Sequence, residues 1–414
     1  MRNILYVIVT AFAFTLNVYA QPSTASYDQG MPVGWATVGG TVTGGMGGEE
    51  VTVTTFQEFD DAMLRVNGKK DTQVRRIIYV KGEIAFSNLI TYNGISNKTI
   101  IGLPGATFVN YDQTKKNSGI LKFTNNCQNI ILRNITFKGP GAYDVDGNDN
   151  LLIQEGHYIW VDHCDFLDGV DGNFDINNGS DNIAVTWCRF RYLHDPRAGG
   201  SGGANDHRFS NLIGSSDSST KDPGHLNITF ANCWWDAGCM ERCPRVRFGK
   251  VHILNCLFTN EGFHYCFGTG IESNIYVEKC DISTTGTSVY KNPGKSGTTY
   301  NITITDCLGV DDVRERVGTN DYFFPSNHYD YAAFDKTLVK EVVGDEQTGA
   351  GATLTLDDGH GEYSSIETPS QVVRAEYFDA AGIRQSRARN GFNILRKHQL
   401  DGTIQTVKVL SGGR

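Results

Sequence analysis

The segment Ile183-Ala184-Val185-Thr186-Trp187-Cys188 places apolar side chains at alternate positions and ends in cysteine. Alternation with a period of two residues predicts a β-strand. Five further segments follow the same pattern and end in Cys164, Cys233, Cys256, Cys280 and Cys307. An earlier copy, residues 130–133, carries Asn134 at what we take as the equivalent place.

The copies recur at intervals of 23 to 30 residues, apart from one interval of 45. Such a repeat, with one strand in each copy, predicts a solenoid, because a single copy cannot bury its own apolar face. We therefore predict an all-β fold, a parallel β-helix, in which the cysteines form an inward-facing column.

The column geometry argues against disulfides within it. Neighbouring parallel strands lie about 4.8 Å apart, beyond the mean Cβ separation of about 3.8 Å in a disulfide. We predict that most of the column cysteines are free and buried. Better candidates for disulfides are Cys127, Cys239, Cys243 and Cys266, which lie off the column.

The two ends of the chain differ from the repeats. Arg2, the apolar run 4–16 and Ala20 predict a signal peptide over residues 1–20, with cleavage after Ala20 and a secreted, cell-surface or periplasmic location. No other apolar run is long enough to span a membrane.

After a domain spanning residues 21–347, the stretch 348–365 predicts a linker. Residues 366–414 carry eight Lys and Arg against four Asp and Glu, and their alternating strands predict a small antiparallel module. This module resembles the C-terminal sorting domains of exported enzymes in the Bacteroidetes. The alternative is a strand set that caps the solenoid.

The chain is acidic, with 46 Asp and Glu against 37 Lys and Arg and a net charge of −9. This balance argues against a nucleic-acid partner, since phosphate recognition requires a basic face. We expect a monomer. An anionic substrate would need a compensating cation.

Three acids are candidates for holding such a cation. Asp171 and Asp175 flank one turn, and Asp149 lies 22 residues before Asp171, about one coil away. Converging carboxylates repel one another unless a cation lies between them. The spacing alone leaves open a solvated acidic loop. Asp144 and Asp146 are further candidates for the same ion.

Several motifs resemble the pectate lyase family, whose members fold as right-handed parallel β-helices. They are Trp160-Val161-Asp162-His163, Asp171-Gly172-Asn173-Phe174-Asp175, and the stretch 242–252, which begins Arg242-Cys243-Pro244-Arg245-Val246-Arg247. The resemblance covers about residues 33–310. It implies a lyase that cleaves polygalacturonate (pectate) by β-elimination, with Ca²⁺ bound by Asp149, Asp171 and Asp175.

The resemblance also implies roles for arginines. Arg242 is the candidate for the base, although an arginine, with a pKa above about 12, is almost never deprotonated; its cation could instead stabilise the enolate. Arg247 would bind a substrate carboxylate. The alternative for this arginine cluster is a surface salt-bridge network, to which Arg245 could belong.

One departure from the family concerns the loop 194–222, which is rich in Gly, Ser and Asp. Family members carry a Lys shortly before the stretch Gly214-Ser215-Ser216-Asp217, and this chain has none there. Arg208 is the candidate for that charge, one position away. His207 is either a proton donor or a residue that hydrogen-bonds within the loop.

Two alternatives remain open. A pectin lyase acting on methyl-esterified chains would need no calcium, and a glycan-binding solenoid without activity would not need Arg242.

Asp162 and His163 are adjacent on a strand, so we expect their side chains on opposite faces, with a structural role.

Overall fold

The computed structural model describes residues 31–294, 298–318 and 321–355, together with the backbone of four strands between residues 372 and 411. The predicted signal peptide lies outside the described residues, as does the predicted linker from residue 356 onward. Strands and helices are numbered below in chain order.

Three sheets run along a parallel β-solenoid of about nine turns, which confirms the predicted fold class. The first sheet has eleven strands, all parallel except the last, which pairs antiparallel. Its strands are β1 (Glu49–Val53), β4 (Arg76–Val80), β7 (Ser96–Gly102), β10 (Gln128–Arg133), β13 (His157–Asp162), β16 (Asp181–Thr186), β19 (Asn227–Ala231), β22 (Lys250–Leu254), β25 (Ser273–Glu278), β27 (Tyr300–Thr305) and β28 (Val313–Val317).

The other two sheets are built from shorter strands, one in each coil. The second sheet consists of β5 (Glu83–Ala85), β8 (Thr107–Val109), β11 (Thr136–Lys138), β14 (Asp165–Leu167), β17 (Arg189–Arg191), β20 (Trp234–Trp235) and β23 (Leu257–Phe258). The third sheet consists of β6 (Ile90–Asn93), β9 (Leu121–Thr124), β12 (Leu151–Gln154), β15 (Phe174–Asn177), β18 (Leu212–Ile213), β21 (Arg245–Val246), β24 (Phe267–Thr269) and β26 (Tyr290–Lys291).

The remaining elements lie outside these sheets. Helix α1 (Phe56–Leu64) begins with a capping box between Thr55 and Glu58 and buries Phe59 and Met63 in the solenoid core. The others are the hairpin β2 (Arg65–Val66) and β3 (Lys69–Lys70), helix α2 (Val339–Val343), and 3₁₀ turns at Gly34–Thr37, Pro325–Asn327 and Lys336–Leu338.

The cysteine column exists, but the sequence analysis misplaced its first member. The parallel register pairs Arg133 with Asp162, so Asn134 lies level with His163, and Ile135 lies level with Cys164. From Cys233 onward each backbone N–H donates to the thiol of the next coil, for example Cys233 N to Cys256 Sγ at 3.3 Å. The column is therefore Ile135 followed by six cysteines.

All ten cysteines are free and buried, as predicted for the column. The prediction that Cys127, Cys239, Cys243 and Cys266 favour disulfides is wrong, since each is a buried free thiol. Burial raises the pKa of both Cys239 and Cys266. These four cysteines therefore act as small core residues.

A left-handed residue follows each strand of the first sheet from β10 to β27 and explains the error. Asn134, His163, Trp187 and Asn232 all have φ between 46° and 58°. This conformation interrupts the strand alternation, so the next residue, rather than this one, points into the core. The same turn brings His163 Nδ1 to 2.8 Å from Asp162 Oδ2, so the expectation of opposite faces is wrong.

The core of the second sheet is an aromatic ladder with one ring in each coil. The ring centroids of neighbouring coils lie 4.9 to 5.5 Å apart. The ladder consists of Phe108, Phe137, Phe166, Phe190, Trp235 and Phe258. Because each apolar ring packs against its neighbours, the ladder buries surface that a single coil would leave exposed.

The segment after β28 runs back across the corner of the solenoid. Phe334 exchanges two hydrogen bonds with Asn255, at 2.9 and 3.0 Å. Gly351 N donates to Trp187 O, and Leu354 exchanges two hydrogen bonds with Asn134. The packed segment thus extends seven residues into the stretch 348–365, for which the sequence predicts a linker.

The backbone near the C-terminus forms a four-stranded antiparallel sheet, as the alternating strands predict. Its strands are β29 (Val372–Phe378), β30 (Arg384–Gln385), β31 (Gly391–Gln399) and β32 (Ile404–Ser411). Among the described residues, no helix has the length and apolarity that crossing a bilayer requires.

Candidate functional site

Three acids predicted as metal ligands lie at the start of neighbouring strands in the third sheet. Asp149 precedes β12, Asp171 precedes β15, and Asp175 lies within β15. A Cβ built on Gly172 would lie 2.7 Å from Asp149 Oδ1 and 3.3 Å from Asp175 Oδ1. The solenoid therefore brings the acids together, and the glycine between them leaves room beside their oxygens.

Asp149 and Asp175 are buried, Asp171 is partly exposed, and the three carboxylates repel one another. Burial, followed by the charges of Asp175 and Asp171, raises the pKa of Asp149 well above its usual value. Burial also raises the pKa of Asp175 to about 7, and Asp171 adds to the rise. Since Arg242 opposes the rise at both sites, the cluster lies within reach of its positive charge.

The residues fit a hard divalent cation. Asp149 Oδ1 is buried without a hydrogen-bond partner, and carboxylate oxygens are the ligands that calcium prefers. Among the described residues, however, no group of three or more His, Cys, Asp or Glu side chains forms a ready-made metal site. Two of the acids are already engaged by other residues of the chain, which partly explains why no such site is formed. Asp171 Oδ1 lies 2.7 Å from His207 Nε2, and Asp175 Oδ1 accepts a hydrogen bond from Leu212 N.

His207 bridges two acids, a contact that the sequence analysis did not foresee. Its Nε2 faces Asp171, and its Nδ1 lies 3.3 Å from Asp144 Oδ1. Asp144 is buried and also accepts a hydrogen bond from Ala204 N at 2.6 Å. Asp146 is exposed and paired with Lys115. Of these two further candidates, only Asp144 joins the acid cluster.

Arg242, the candidate base, lies on the next part of the same edge. Its guanidinium carbon is 4.5 Å from the centroid of the Phe209 ring, and its Nε is buried without a hydrogen-bond partner. Arg242 has a φ of 60°, and its carbonyl accepts a hydrogen bond from Asn211 N. The left-handed backbone and the aromatic ring together fix where the guanidinium lies.

The two arginines predicted to bind substrate are both paired within the chain. Arg247 Nε donates to Asp217 Oδ1 at 2.6 Å, and its Nη1 donates to Gly214 O at 2.7 Å. Arg208 pairs through Nε and Nη2 with the two carboxylate oxygens of Asp206, at 2.9 and 2.6 Å. The loop 194–222 thus supplies a carboxylate to each arginine.

Arg245 differs from the expected surface salt-bridge network. It makes no ion pair with any residue of the described part of the chain, and its Nε is buried without a hydrogen-bond partner. Burial and the neighbouring Arg247 lower the pKa of Arg245 from its ordinary value. A cation of this kind, half-buried and unpaired, was not apparent from the sequence.

Sequence reasoning missed His207 as a bridge, Phe209 beneath Arg242, and the partners Asp206 and Asp217. The only signal available was that the coil containing them is about twice the usual length. Loops of that length on a regular scaffold frequently carry function.

Buried Trp side chains are packing residues. Trp235 belongs to the aromatic ladder, and Trp187 packs with Trp234 beneath the C-terminal segment. Arg189 lies over Trp234 at 3.8 Å, so that ring is also covered.

Several known proteins that are similar to this chain belong to one family. The family model for pectate lyases matches residues 4–352. The chain is 33% identical over 261 residues to a pectate trisaccharide-lyase of Thermotoga maritima, covering 59% of this chain and 60% of that protein. It is also 33% identical over 237 residues to a probable pectate lyase B of Aspergillus terreus, covering 55% and 62% respectively. The chain thus spans about 60% of the length of these curated relatives.

Solved structures share the fold. A pectate lyase bound to a hexasaccharide superposes with a TM-score of 0.57 at 21% identity, over 82% of this chain and 100% of that one. A pectate lyase from Acidovorax avenae superposes with a TM-score of 0.63 at 15% identity, over 78% and 95%. With a family match over most of its length, the chain belongs to the pectate lyase family.

Proposed function

We propose that the protein is a calcium-dependent pectate lyase that cleaves polygalacturonate by β-elimination. The observation that carries the proposal is the convergence of Asp149, Asp171 and Asp175 at one edge, with Arg242 beside them. Family membership and the relatives' printed activities support the same reaction.

The chemistry sets two requirements. The C5 proton of a galacturonate is α to a carboxylate, so its removal builds further negative charge on a group that is already anionic. An enzyme must compensate that charge and place a base at C5. When bound by the three acids, calcium would supply a Lewis acid for the substrate carboxylate.

The surroundings of Arg242 support its assignment to the second requirement. Its Nε has no hydrogen-bond partner, and the Phe209 ring shields one face of the guanidinium from water. Accepting the C5 proton requires the neutral guanidine, whereas the cation would stabilise the enolate. With the neutral guanidine as base, the C5 proton passes to Arg242, the electrons of the broken C5–H bond form the C4–C5 double bond as the bond from C4 to the glycosidic oxygen breaks, and that oxygen takes a proton from water. With the cation as stabiliser of the enolate, water accepts the C5 proton while the same bonds form and break.

A pectin lyase acting on methyl-esterified chains is the alternative enzyme. Its substrate lacks most of the carboxylates, so it would not need a site lined by three acids. The acid cluster therefore favours the pectate substrate. A binding solenoid without activity would have no use for an Arg242 whose Nε is buried without a hydrogen-bond partner.

The test is the absorbance of the unsaturated uronate product during incubation with polygalacturonate, with and without a chelator. We expect absorbance to rise in calcium and to stop rising in excess chelator. No rise under either condition would contradict the lyase. A rise that persists in chelator, and that is faster on methyl-esterified pectin, would favour the pectin lyase.

We also propose that the chain is exported and acts as a monomer on pectate outside the cytoplasm. The support is the sequence pattern of residues 1–20 and the polymeric nature of the proposed substrate.

A further inference from the structure

Arg245 is a half-buried cation that forms no ion pair with the described residues. It lies on β21, where its neighbour Val246 points into the core, so by alternation Arg245 points outward. The register places it level with Leu212 on β18 and Gly268 on β24. Leu212 is in turn the neighbour of Asp175, because Ile176 pairs with Ile213. Arg245 and Asp175 therefore share one outward column, two strands or about 10 Å apart.

The next coil leaves space for the Arg245 side chain. A Cβ on Gly268 would lie 2.7 Å from Arg245 Cγ and 3.0 Å from the Tyr265 ring. The methylene stem of Arg245 thus crosses the one position of the column that has no side chain. A bulkier residue there would push the stem aside.

Two other arginines of the site differ from Arg245 because each has a carboxylate partner within the chain. Arg247 and Arg208 already bind Asp217 and Asp206. Arg245 has no carboxylate partner among the residues that the structure describes, and its Nε is buried with its hydrogen bond unmade. A buried donor without a partner is costly, and a planar carboxylate satisfies a guanidinium through two parallel hydrogen bonds.

We propose that Arg245 binds a carboxylate of the substrate, in a subsite displaced from the acid cluster toward the later coils. The inference rests on the proposed function, since it assumes a polymer that carries one carboxylate on each sugar. One carboxylate lies at the acid cluster, and that of a sugar further along the chain reaches Arg245. The residue thereby selects free acids over methyl esters, which cannot accept a charged bidentate pair.

The test compares Arg245→Gln and Arg245→Lys with Arg65→Gln, an exposed arginine on the remote end of the solenoid. We expect Arg245→Gln to raise KM for polygalacturonate by about 10- to 100-fold with kcat little changed, the loss expected for a charged hydrogen bond made equally in the ground and transition states. Arg245→Lys keeps the positive charge but loses the planar pair of donors, so its KM should lie between those of Arg245→Gln and the wild type. Arg65→Gln should match the wild type.

Two further readouts separate recognition from folding. Arg245→Gln should narrow the ratio of KM values between methyl-esterified pectin and polygalacturonate, while thermal unfolding stays near that of the wild type. Gly268→Ala should raise KM in the same direction by displacing the Arg245 stem. A wild-type KM in Arg245→Gln, or an unchanged preference for the free acid, would overturn the inference.

If the proposed lyase activity is wrong, the result differs from the one expected when only the Arg245 subsite is wrong. In that case the wild type would produce no unsaturated uronate, and the inference is then tested by calorimetric titration of the full chain with polygalacturonate. Binding by the wild type that weakens in Arg245→Gln supports the subsite. Equal binding by both proteins, or no binding by the wild type, contradicts it.

Discussion

At the scale of single residues, the proposed reaction would depend on a guanidinium that has no ionic partner among the described residues. Arg242 lies over Phe209 at 4.5 Å, and its charge acts on Asp149 and Asp175. Lysine would keep the positive charge but not the planar group or its reach. The proposed role of Arg242 therefore requires the position and shape of the guanidinium as well as its charge.

We expect Arg242→Lys to lower kcat on polygalacturonate by at least about 100-fold, the loss typical of removing one group that acts in the transition state. Circular dichroism and thermal unfolding should stay close to the wild type, since Arg242 makes no ion pair with the described residues. Activity within a few-fold of the wild type would remove Arg242 from the mechanism.

Residue identity predicted part of this site. The acids Asp149, Asp171 and Asp175 could be placed together because their spacing matches the coil. The pairing of Arg208 with Asp206, and of Arg247 with Asp217, could not be predicted, because the loop 194–222 has no repeat that fixes its path.

At the scale of secondary-structure elements, the strands were predictable and their ends were not. Alternation gave the strands that end at Asp162 and Thr186. The residues that follow, His163 and Trp187, adopt left-handed conformations that no side-chain pattern indicates. An error of one position at Asn134 follows from this, because one extra residue reverses which side chain faces the core.

The corner after β13 also creates a buried ionic network. Asp162 is fully buried, with Arg133 Nε at 2.6 Å, His163 Nδ1 at 2.8 Å and Thr186 Oγ1 at 2.5 Å. Burial opposes ionisation, but His163 and Arg133 outweigh it and hold the pKa of Asp162 below its usual value. The network stabilises the fold and makes no contact with Arg242.

We predict that Asp162→Asn lowers the free energy of unfolding by about 3–5 kcal/mol at pH 7, the range for breaking a buried ion pair. Because folding lowers the pKa of Asp162, its contribution is complete above the unfolded value of about 3.9 and is lost as pH falls through the folded value. The difference between variant and wild type should therefore shrink in acid.

Denaturant unfolding at a series of pH values measures this difference. Asp61→Asn, which removes an exposed ion pair with Arg65, is the control and should change stability by less than about 1 kcal/mol. A difference for Asp162→Asn that is small at pH 7, or that grows in acid, would contradict the account.

At the scale of the whole molecule, stacking converts a weak repeat into columns of buried side chains. Six cysteines and six aromatic rings each form one column through the core. The repeat predicted these columns. It could not predict that residues 334–354 would pack along the corner, because those contacts join positions up to 220 residues apart.

Ten free thiols are expected in the protein denatured without reductant, because all ten cysteines are unpaired and buried. Thiol titration in guanidinium should give about ten per chain, and the native protein should react slowly, since burial raises the pKa of Cys239 and Cys266. A count of eight or fewer would show that disulfides form.

The central claim is that stacked coils bring three acids together to hold calcium beside Arg242. Its most direct test is the calcium dependence of turnover on polygalacturonate in the wild type, Asp149→Asn and Asp146→Asn. Asp146 is an exposed acid on the same loop and serves as the matched control.

We predict that Asp149→Asn raises the calcium concentration for half-maximal rate by at least about tenfold, because calcium affinity follows the number of charged ligands. Asp146→Asn should keep the wild-type dependence. Turnover that needs no calcium in the wild type, or an unchanged calcium requirement in Asp149→Asn, would contradict the account.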